Sequence, residues 1–404
     1  MRMSTQNKNQ SSGKTNVSRE ERNRKKKTRN IILIAVEIVI LLLLAGVCVY
    51  LFGDSCGLGI GSKKGKGDSG SNNPFTNKVS DEDGIPLGAN EEIVQSMGTD
   101  NQEAERENPM KNYRLIALFG VDSRVENLTS GNNRSDTIMI AAINKETNDI
   151  KLVSVYRDTY LNVGDDYYCK CNTAYALGGY EQAVTMLNSN LDLYIEDYIT
   201  IGFAGLIDAV DALGGIYIDV DSSEISHLNN YQICMAEELE RNYTEVTETG
   251  YQLLNGIQAT AYCRIRYTKG DDYKRAERQR EVIMALLEKA KTSSLSALTE
   301  AANKVIKEVS TSLSLNDILD VLGVISKYDI TTQGGFPEES MRTSGTIGSK
   351  GSCVVPVSLA KNVKWLHQFL FEDDEYEVSA TVESYSNTIY SQTYQFLGEL
   401  VNEK

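Results

Sequence analysis

The segment CRIRYTKGDDYKRAERQR, Cys263 to Arg280, concentrates cations on surfaces that its own periodicity turns inward. A helix beginning near Lys274, stepped at 100° per residue, places Arg275, Arg278 and Gln279 on the face that carries Val282, Ile283, Leu286, Leu287 and Ala290. Lys274, Glu277, Arg280, Glu281, Glu288 and Lys291 fall on the opposite face. A solvated surface helix keeps its arginines among such charges, so two arginines and an amide that extend the apolar stripe predict the lining of a cleft. Just upstream, Tyr262, Arg264 and Arg266 alternate with Cys263, Ile265 and Tyr267, which predicts a strand sending both arginines to one side. Four guanidinium groups then converge.

Buried guanidinium groups need counter-charge, and their planar fork suits phosphate oxygens better than an ammonium does. For any one of these arginines, pairing with Asp271, Asp272 or Glu277 is the simpler use. The cluster as a whole favours a phosphate, because the bases outnumber the nearby acids and those acids fall mostly on the outer face.

Several elements must position this cluster. Arg114 to Gly120 is a buried-strand pattern that runs into Val121-Asp122-Ser123-Arg124. After a loop with Gly131, Asn132 and Asn133 comes Arg134-Ser135-Asp136-Thr137, then a strand from Ile138 to Ile143 and another from Ile150 to Tyr156, ending in Arg157-Asp158. If the first two strands are antiparallel neighbours, Asp122 and Asp136 adjoin, and two carboxylates with phosphate oxygens and waters complete a magnesium shell. A turn or cap role is the alternative for each Asp alone; the company of Arg134 and Arg157 favours the site. Downstream, a helix over Glu181 to Leu191, a strand over Tyr198 to Ile201, an apolar helix over Phe203 to Leu213 stopped by Gly214-Gly215, and a strand over Ile216 to Val220 predict an α/β fold. The apolar helix reads as core or as the wall of a lipid-tail groove. Trp365 falls in a short helical run after Lys361.

The chain has 404 residues and a formal charge of −15. Its first 30 residues hold ten Lys/Arg against Glu20 and Glu21, a net +8 that leaves −23 on the remainder. So acidic a remainder excludes a general nucleic-acid binder. The basic tail precedes an apolar run, Ile31 to Phe52, long enough to cross a bilayer with the N-terminus in the cytoplasm. No A-x-A site follows it, and Glu37 lies near the cytoplasmic end, so an uncleaved signal anchor is expected. Residues 53–112, rich in Gly, Ser, Asn and charge, predict a flexible extracellular stalk with a reach on the order of 40–45 Å. A catalytic domain is expected over 113–310 and a C-terminal extension over 311–404. The only histidines are His227 and His367, and no P-loop, G-x-S-x-G or Cys-x-x-Cys occurs. Histidine triads and structural zinc are thereby excluded. Cys169-x-Cys171, Cys263 and Cys353 leave pairing open.

Taken together, ALFGVDSR (117–124), RSDTIMIAAIN (134–144), LVSVYRDTYL (152–161), CNTAYALGG (171–179), DALGGIYIDV (211–220), LNGIQATAYCRIRY (254–267) and GDDYKRAERQR (270–280) resemble the LytR-CpsA-Psr family of cell-wall enzymes, over roughly Asn112 to Lys291. The resemblance implies a mixed central sheet flanked by helices. It also implies transfer of a teichoic acid or capsular polysaccharide from undecaprenyl pyrophosphate to peptidoglycan, outside a Gram-positive membrane, with magnesium, or manganese in its place. By matching motifs, Asp122 and Asp136 look like the metal ligands. Arg134, Arg157, Arg264, Arg266, Arg275 and Gln279 look like the pyrophosphate clamp, with Arg278 in support. Of these, Asp122, Asp136, Arg134 and Arg266 are the expected catalytic set. Cys171 and Cys263 stand beside motif residues, where a bridge between them would stiffen the site. A lipid-pyrophosphate hydrolase and a non-catalytic glycolipid-binding regulator are the competing expectations.

Overall fold

The computed structural model describes residues 78–98, 108–121, 128, 133–266, 271–294, 297–298, 301, 305, 308–313 and 329–397. In chain order the elements are α1 (Glu91–Met97), β1 (Tyr113–Val121), β2 (Ser135–Asn144), β3 (Asp149–Val155), β4 (Tyr160–Asn162), β5 (Tyr168–Lys170), α2 (Thr173–Leu191), β6 (Asp197–Gly202) and α3 (Phe203–Ala212). They continue with β7 (Ile216–Val220), α4 (Ser222–Glu238), β8 (Gly250–Leu254), α5 (Gly256–Arg264), α6 (Asp271–Lys291), β9 (Val309–Thr311) and β10 (Asp329–Phe336). Last come β11 (Arg342–Thr346), β12 (Ser352–Pro356), α7 (Leu359–Phe371) and α8 (Ala380–Thr393).

The near-continuous apolar runs of β1 to β3 require cover on both faces. Six strands form the central sheet in the order β10-β3-β2-β1-β6-β9. β1 and β2 are antiparallel with Phe119 opposite Ile138, whereas β6 runs parallel to β1 with Leu118 opposite Ile199. One face, with Leu118, Met139 and Leu152, is covered by Ile207 of α3, Leu228 of α4, Ile257 of α5 and Leu286 of α6. The other, with Phe119, Ile140 and Val153, is covered by Val184 of α2, Leu366 of α7 and Ile389 of α8. The result is the expected mixed sheet flanked by helices.

Several boundaries differ from expectation. Val79, Ile93 and Met110 are buried in the second core, so residues 78–98 and 108–112, assigned to a stalk, are packed parts of the domain. Composition hid this, because three well-spaced apolar residues suffice to anchor a polar segment. Residue 310 is no boundary either: β10 lies parallel to β3 inside the central sheet, and α7 and α8 complete its cover. The strand expected over Tyr262 to Tyr267 is instead, as far as Arg266, the end of α5 and the two residues after it; Asn255 opens that helix through a reciprocal cap with Gln258. Three alternating pairs are too few to outweigh a capped helix start. α2 begins at Thr173, eight residues before the expected helix, with a break at Gly178-Gly179 where Gly179 has φ 65°. β7 pairs antiparallel with β8 in a separate two-stranded sheet, outside the central one. Residues 1–30 and 31–52 lie outside the described residues; among those described, no helix is long and apolar enough to cross a membrane.

Candidate anion site

The elements meet around a cavity of about 350 Å³ at the ends of β1, β6 and β2. Asp136, Arg157, Arg264, Arg266, Arg275 and Gln279 line its polar part; Leu118, Ile199, Ile201, Phe203, Leu206, Val282 and Ile283 line its apolar part. Six of the nine expected site residues are thus gathered in one pocket, together with the apolar helix α3 as its wall.

Asp136 is the second residue of β2, beside a register shift at Gly120/Val121. Its carboxylate accepts a hydrogen bond from Arg157 Nη1 at 2.7 Å, and its backbone carbonyl accepts one from Arg275 Nη2 at 2.5 Å. Arg266 Nη2 stands 3.7 Å from Asp136 Oδ2. Burial works to raise the Asp136 pKa, but Arg275, Arg157 and Arg266 outweigh it and hold the carboxyl below its ordinary value.

Arg157 follows β3 in a turn fixed from both sides. The Tyr156 N–H donates to Phe336 O and the Asn172 N–H to Arg157 O, while the Cys171 thiol donates to Tyr156 O at 3.2 Å and Arg157 O at 3.3 Å. The CNTAY stretch is therefore a latch on the Arg157 backbone. Cys171 and Cys263, whose pairing the sequence left open, are both free thiols. Burial pushes Cys263 up to about 12 and leaves it a neutral part of the wall.

Asp272 realises the ion-pair alternative named for these arginines: it faces inward, with Oδ1 3.6 Å from Arg157 Nε, 3.6 Å from Arg266 Nε and 3.4 Å from Arg275 Nη1. The signal was available: a helix beginning at Asp271, three residues before the expected start, puts Asp272 one turn before Arg275. Arg275 is 4 % exposed. Burial, then the neighbouring Arg157, pull its pKa down to about 10 against the opposing effect of Asp136. A further anion at this place would relieve that stress.

The remaining expected members stand elsewhere. Arg278 is buried and is not among the lining residues described; its Nε donates to Glu224 at 2.7 Å, an ion pair in the core. Helical periodicity gives an inward face but does not say which inward neighbour a long side chain meets. Arg134 is exposed just before β2 and is not among the lining residues described. Asp122 lies outside the described residues. Arg280, expected on the solvated face, is 9 % exposed and donates to Ser154 Oγ and Gln333 Oε1.

Three guanidinium groups gather around the carboxylates of Asp136 and Asp272, and with Arg264 they adjoin an apolar chamber. The LytR_cpsA_psr family profile matches residues 88–347, and the chain belongs to that family. Among similar proteins, Biofilm regulatory protein A of Streptococcus mutans is 31% identical over 238 residues, covering 54% of this chain and 56% of that protein. The polyisoprenyl-teichoic acid–peptidoglycan teichoic acid transferase TagU of Enterococcus faecalis is 34% identical over 210 residues, 50% of this chain and 62% of that one. The chain thus spans little more than half the length of the first of these relatives. A solved protein of Streptococcus agalactiae superposes with a TM-score of 0.54 at 25% identity over 68% of this chain and 93% of that one. TagT bound to LI-WTA superposes with a TM-score of 0.52 at 21% identity, over 68% of this chain and 95% of that one, a likeness of fold.

Proposed function

We propose that this chain is a membrane-anchored extracellular phosphotransferase that moves a glycopolymer, a teichoic acid or a capsular polysaccharide, from a polyprenyl-pyrophosphate carrier to peptidoglycan. The observation that carries the reading is the joining of a guanidinium cluster and an apolar chamber in one pocket. Its two halves suit the two halves of a prenyl pyrophosphate. The naming of relatives such as TagU as teichoic acid transferases agrees with it. The basic residues 1–30 and the apolar run 31–52 supply the proposed single-pass anchor, with the domain outside the cell.

In this reading a peptidoglycan hydroxyl attacks the phosphorus that bears the sugar. A phosphodiester forms, the bond to the bridging oxygen breaks, and prenyl phosphate leaves with the electron pair. Charge grows on the leaving side as that bond breaks, so guanidinium groups held in place before reaction favour the transition state over the ground state. Arg275 and Arg157 are pinned by Asp136 and spanned by Asp272, and they need little rearrangement when the bond breaks. Asp136, kept ionised by three arginines, is a poor proton acceptor; the hydroxyl proton passes to water late in a loose transition state.

The donor chemistry of the site fits a hard divalent cation. Asp136 offers an ionised, half-exposed carboxylate, and Asp122 is the proposed second ligand. When bound, magnesium or manganese would neutralise phosphate charge.

The deciding experiment is a transfer assay with the 404-residue chain in detergent, a prenyl-pyrophosphate-linked sugar, magnesium and peptidoglycan oligomers, followed by mass spectrometry of the acceptor. A phosphosugar adduct lost on chelation supports the transferase. Sugar phosphate released without adduct would replace it by a hydrolase, and an intact, bound donor by a glycolipid receptor.

A further inference from the structure

The start of α6 is fastened apart from the two main cores. A third, small apolar cluster joins Tyr156, Ala276 and Val354, with Tyr273 packed against it. Tyr156 immediately precedes Arg157; Tyr273 follows Asp272 and stands two residues before Arg275. Their rings meet edge to face, with centroids 4.7 Å apart and planes at 82°. Arg342, the first residue of β11, touches both: its guanidinium carbon lies 3.9 Å from the Tyr273 centroid and 4.9 Å from that of Tyr156. Its Nη1 donates to Tyr156 Oη at 3.2 Å and to Pro337 O, just beyond β10, at 3.0 Å. Gly335 of β10 makes room for the Tyr156 ring, since a Cβ there would collide with the phenol.

Aromatic pairs prefer such an edge-on angle, and a guanidinium on ring faces adds cation–π attraction in a partly desolvated place. The two tyrosines belong to separate parts of the fold, so their contact fixes how far the end of β3 stands from the first turn of α6. Arg157 follows one of these elements and Arg275 projects from the other. Tyr156, Tyr273 and Arg342 are not among the lining residues described for the anion pocket, so their influence on a ligand passes through the arginines beside them.

We propose that Arg342 is a positioning residue: by clasping Tyr156 to Tyr273 it sets the spacing of Arg157 and Arg275 for a diphosphate. This deepens the phosphotransferase reading and rests on it for the identity of the anion. A clasp differs from a charge that attracts the ligand from a distance, because it acts only while both rings are in place.

The test is calorimetric titration of inorganic pyrophosphate into the 404-residue chain in detergent, well below the thermal midpoint measured for each variant. Arg342→Met, which keeps much of the side chain's length, and Tyr273→Leu, which leaves every charge in place, should each weaken binding about threefold to tenfold, the scale of a partly desolvated cation–π contact. Tyr273→Phe, which keeps the ring, should bind like the parent. In a Tyr273→Leu background Arg342→Met should weaken binding no further. Both residues are half-buried and outside the two main cores, so the variants should fold. Parent-like binding by either single variant would overturn the clasp, whatever the change in midpoint. An undiminished loss from Arg342→Met in the Tyr273→Leu background would also overturn it, in favour of a long-range attraction between Arg342 and the anion. If the double variant does not fold, ionic strength takes its place: a loss from Arg342→Met that persists at high salt supports the clasp, and one that vanishes overturns it. A parent chain that binds no pyrophosphate refutes the phosphotransferase reading and the clasp with it.

Discussion

Asp272 Oδ1 stands 3.6 Å from Arg157 Nε, an ion-pair distance too long for a hydrogen bond. The same oxygen is as loosely placed toward Arg266 and Arg275. One carboxylate oxygen therefore occupies the focus of three cations without bonding tightly to any, which is where a phosphate oxygen at normal hydrogen-bond distance would be better satisfied.

Replacing Asp272 by asparagine should leave those arginines more attractive to an anion. Inorganic pyrophosphate should bind Asp272→Asn about twofold to tenfold more tightly than the parent at low salt, with the difference shrinking as salt screens the site. Calorimetry at two ionic strengths measures both effects. Equal affinity at low salt would mean that Asp272 does not compete with the ligand.

Arg266 contributes little to the core, with a side chain 26% exposed. Arg266→Ala should therefore fold with a thermal midpoint near that of the parent. Its transfer rate should drop by about 2–4 kcal/mol of barrier, the scale for loss of one preorganised donor to a developing oxyanion. Single-turnover transfer with the variant measures it; an unchanged rate would remove Arg266 from the clamp.

Arg278 should behave in the opposite way. Arg278→Ala leaves Glu224 charged and buried, which costs about 3–5 kcal/mol of stability, whereas Arg278→Met paired with Glu224→Leu should restore much of it. Denaturant midpoints of the three proteins decide the matter. Pyrophosphate affinity, measured on whichever variants fold, should stay near the parent value.

Asp136 gives stability a pH dependence of known sign. Its folded pKa lies below the ordinary 3.8, so the unfolded chain binds the proton more readily. The stabilisation is complete well above 3.8 and disappears as pH falls through the lower, folded value. Asp136→Asn should thus be less stable than the parent at pH 7, and the gap should close on acidification. A gap independent of pH would contradict the charge-pairing account.

The sequence exposed the parts of the site that obey a period. The inward stripe of α6 named Arg275 and Gln279, and the runs in β1 to β3 placed Asp136 and Arg157 at strand ends. Arg264 and Arg266 were correctly sent to the pocket although the backbone carrying them is the end of a helix and the residues after it, not a strand; two cations spaced by one residue can share a cavity in either geometry. Arg278 was misread because its role depends on what stands opposite, Glu224 on α4. Such pairings are set by tertiary packing, which no local period records. The packing of Val79, Ile93 and Met110 escaped notice for a related reason, since anchoring residues scattered in a polar segment leave no stripe.

Arg280 ties α6 to Ser154 of β3 and to Gln333 of β10, and the guanidinium carbon of Arg342 lies 3.9 Å from the ring centroid of Tyr273. The helix that presents Arg275 is thus gripped by residues synthesised long after it. A nascent chain that has not reached β10 therefore holds Asp272 and Arg275 on a helix still missing its ties to Gln333 and Arg342. The geometry of the guanidinium cluster is thereby completed by the last-made part of the domain and not by the segments that carry its arginines.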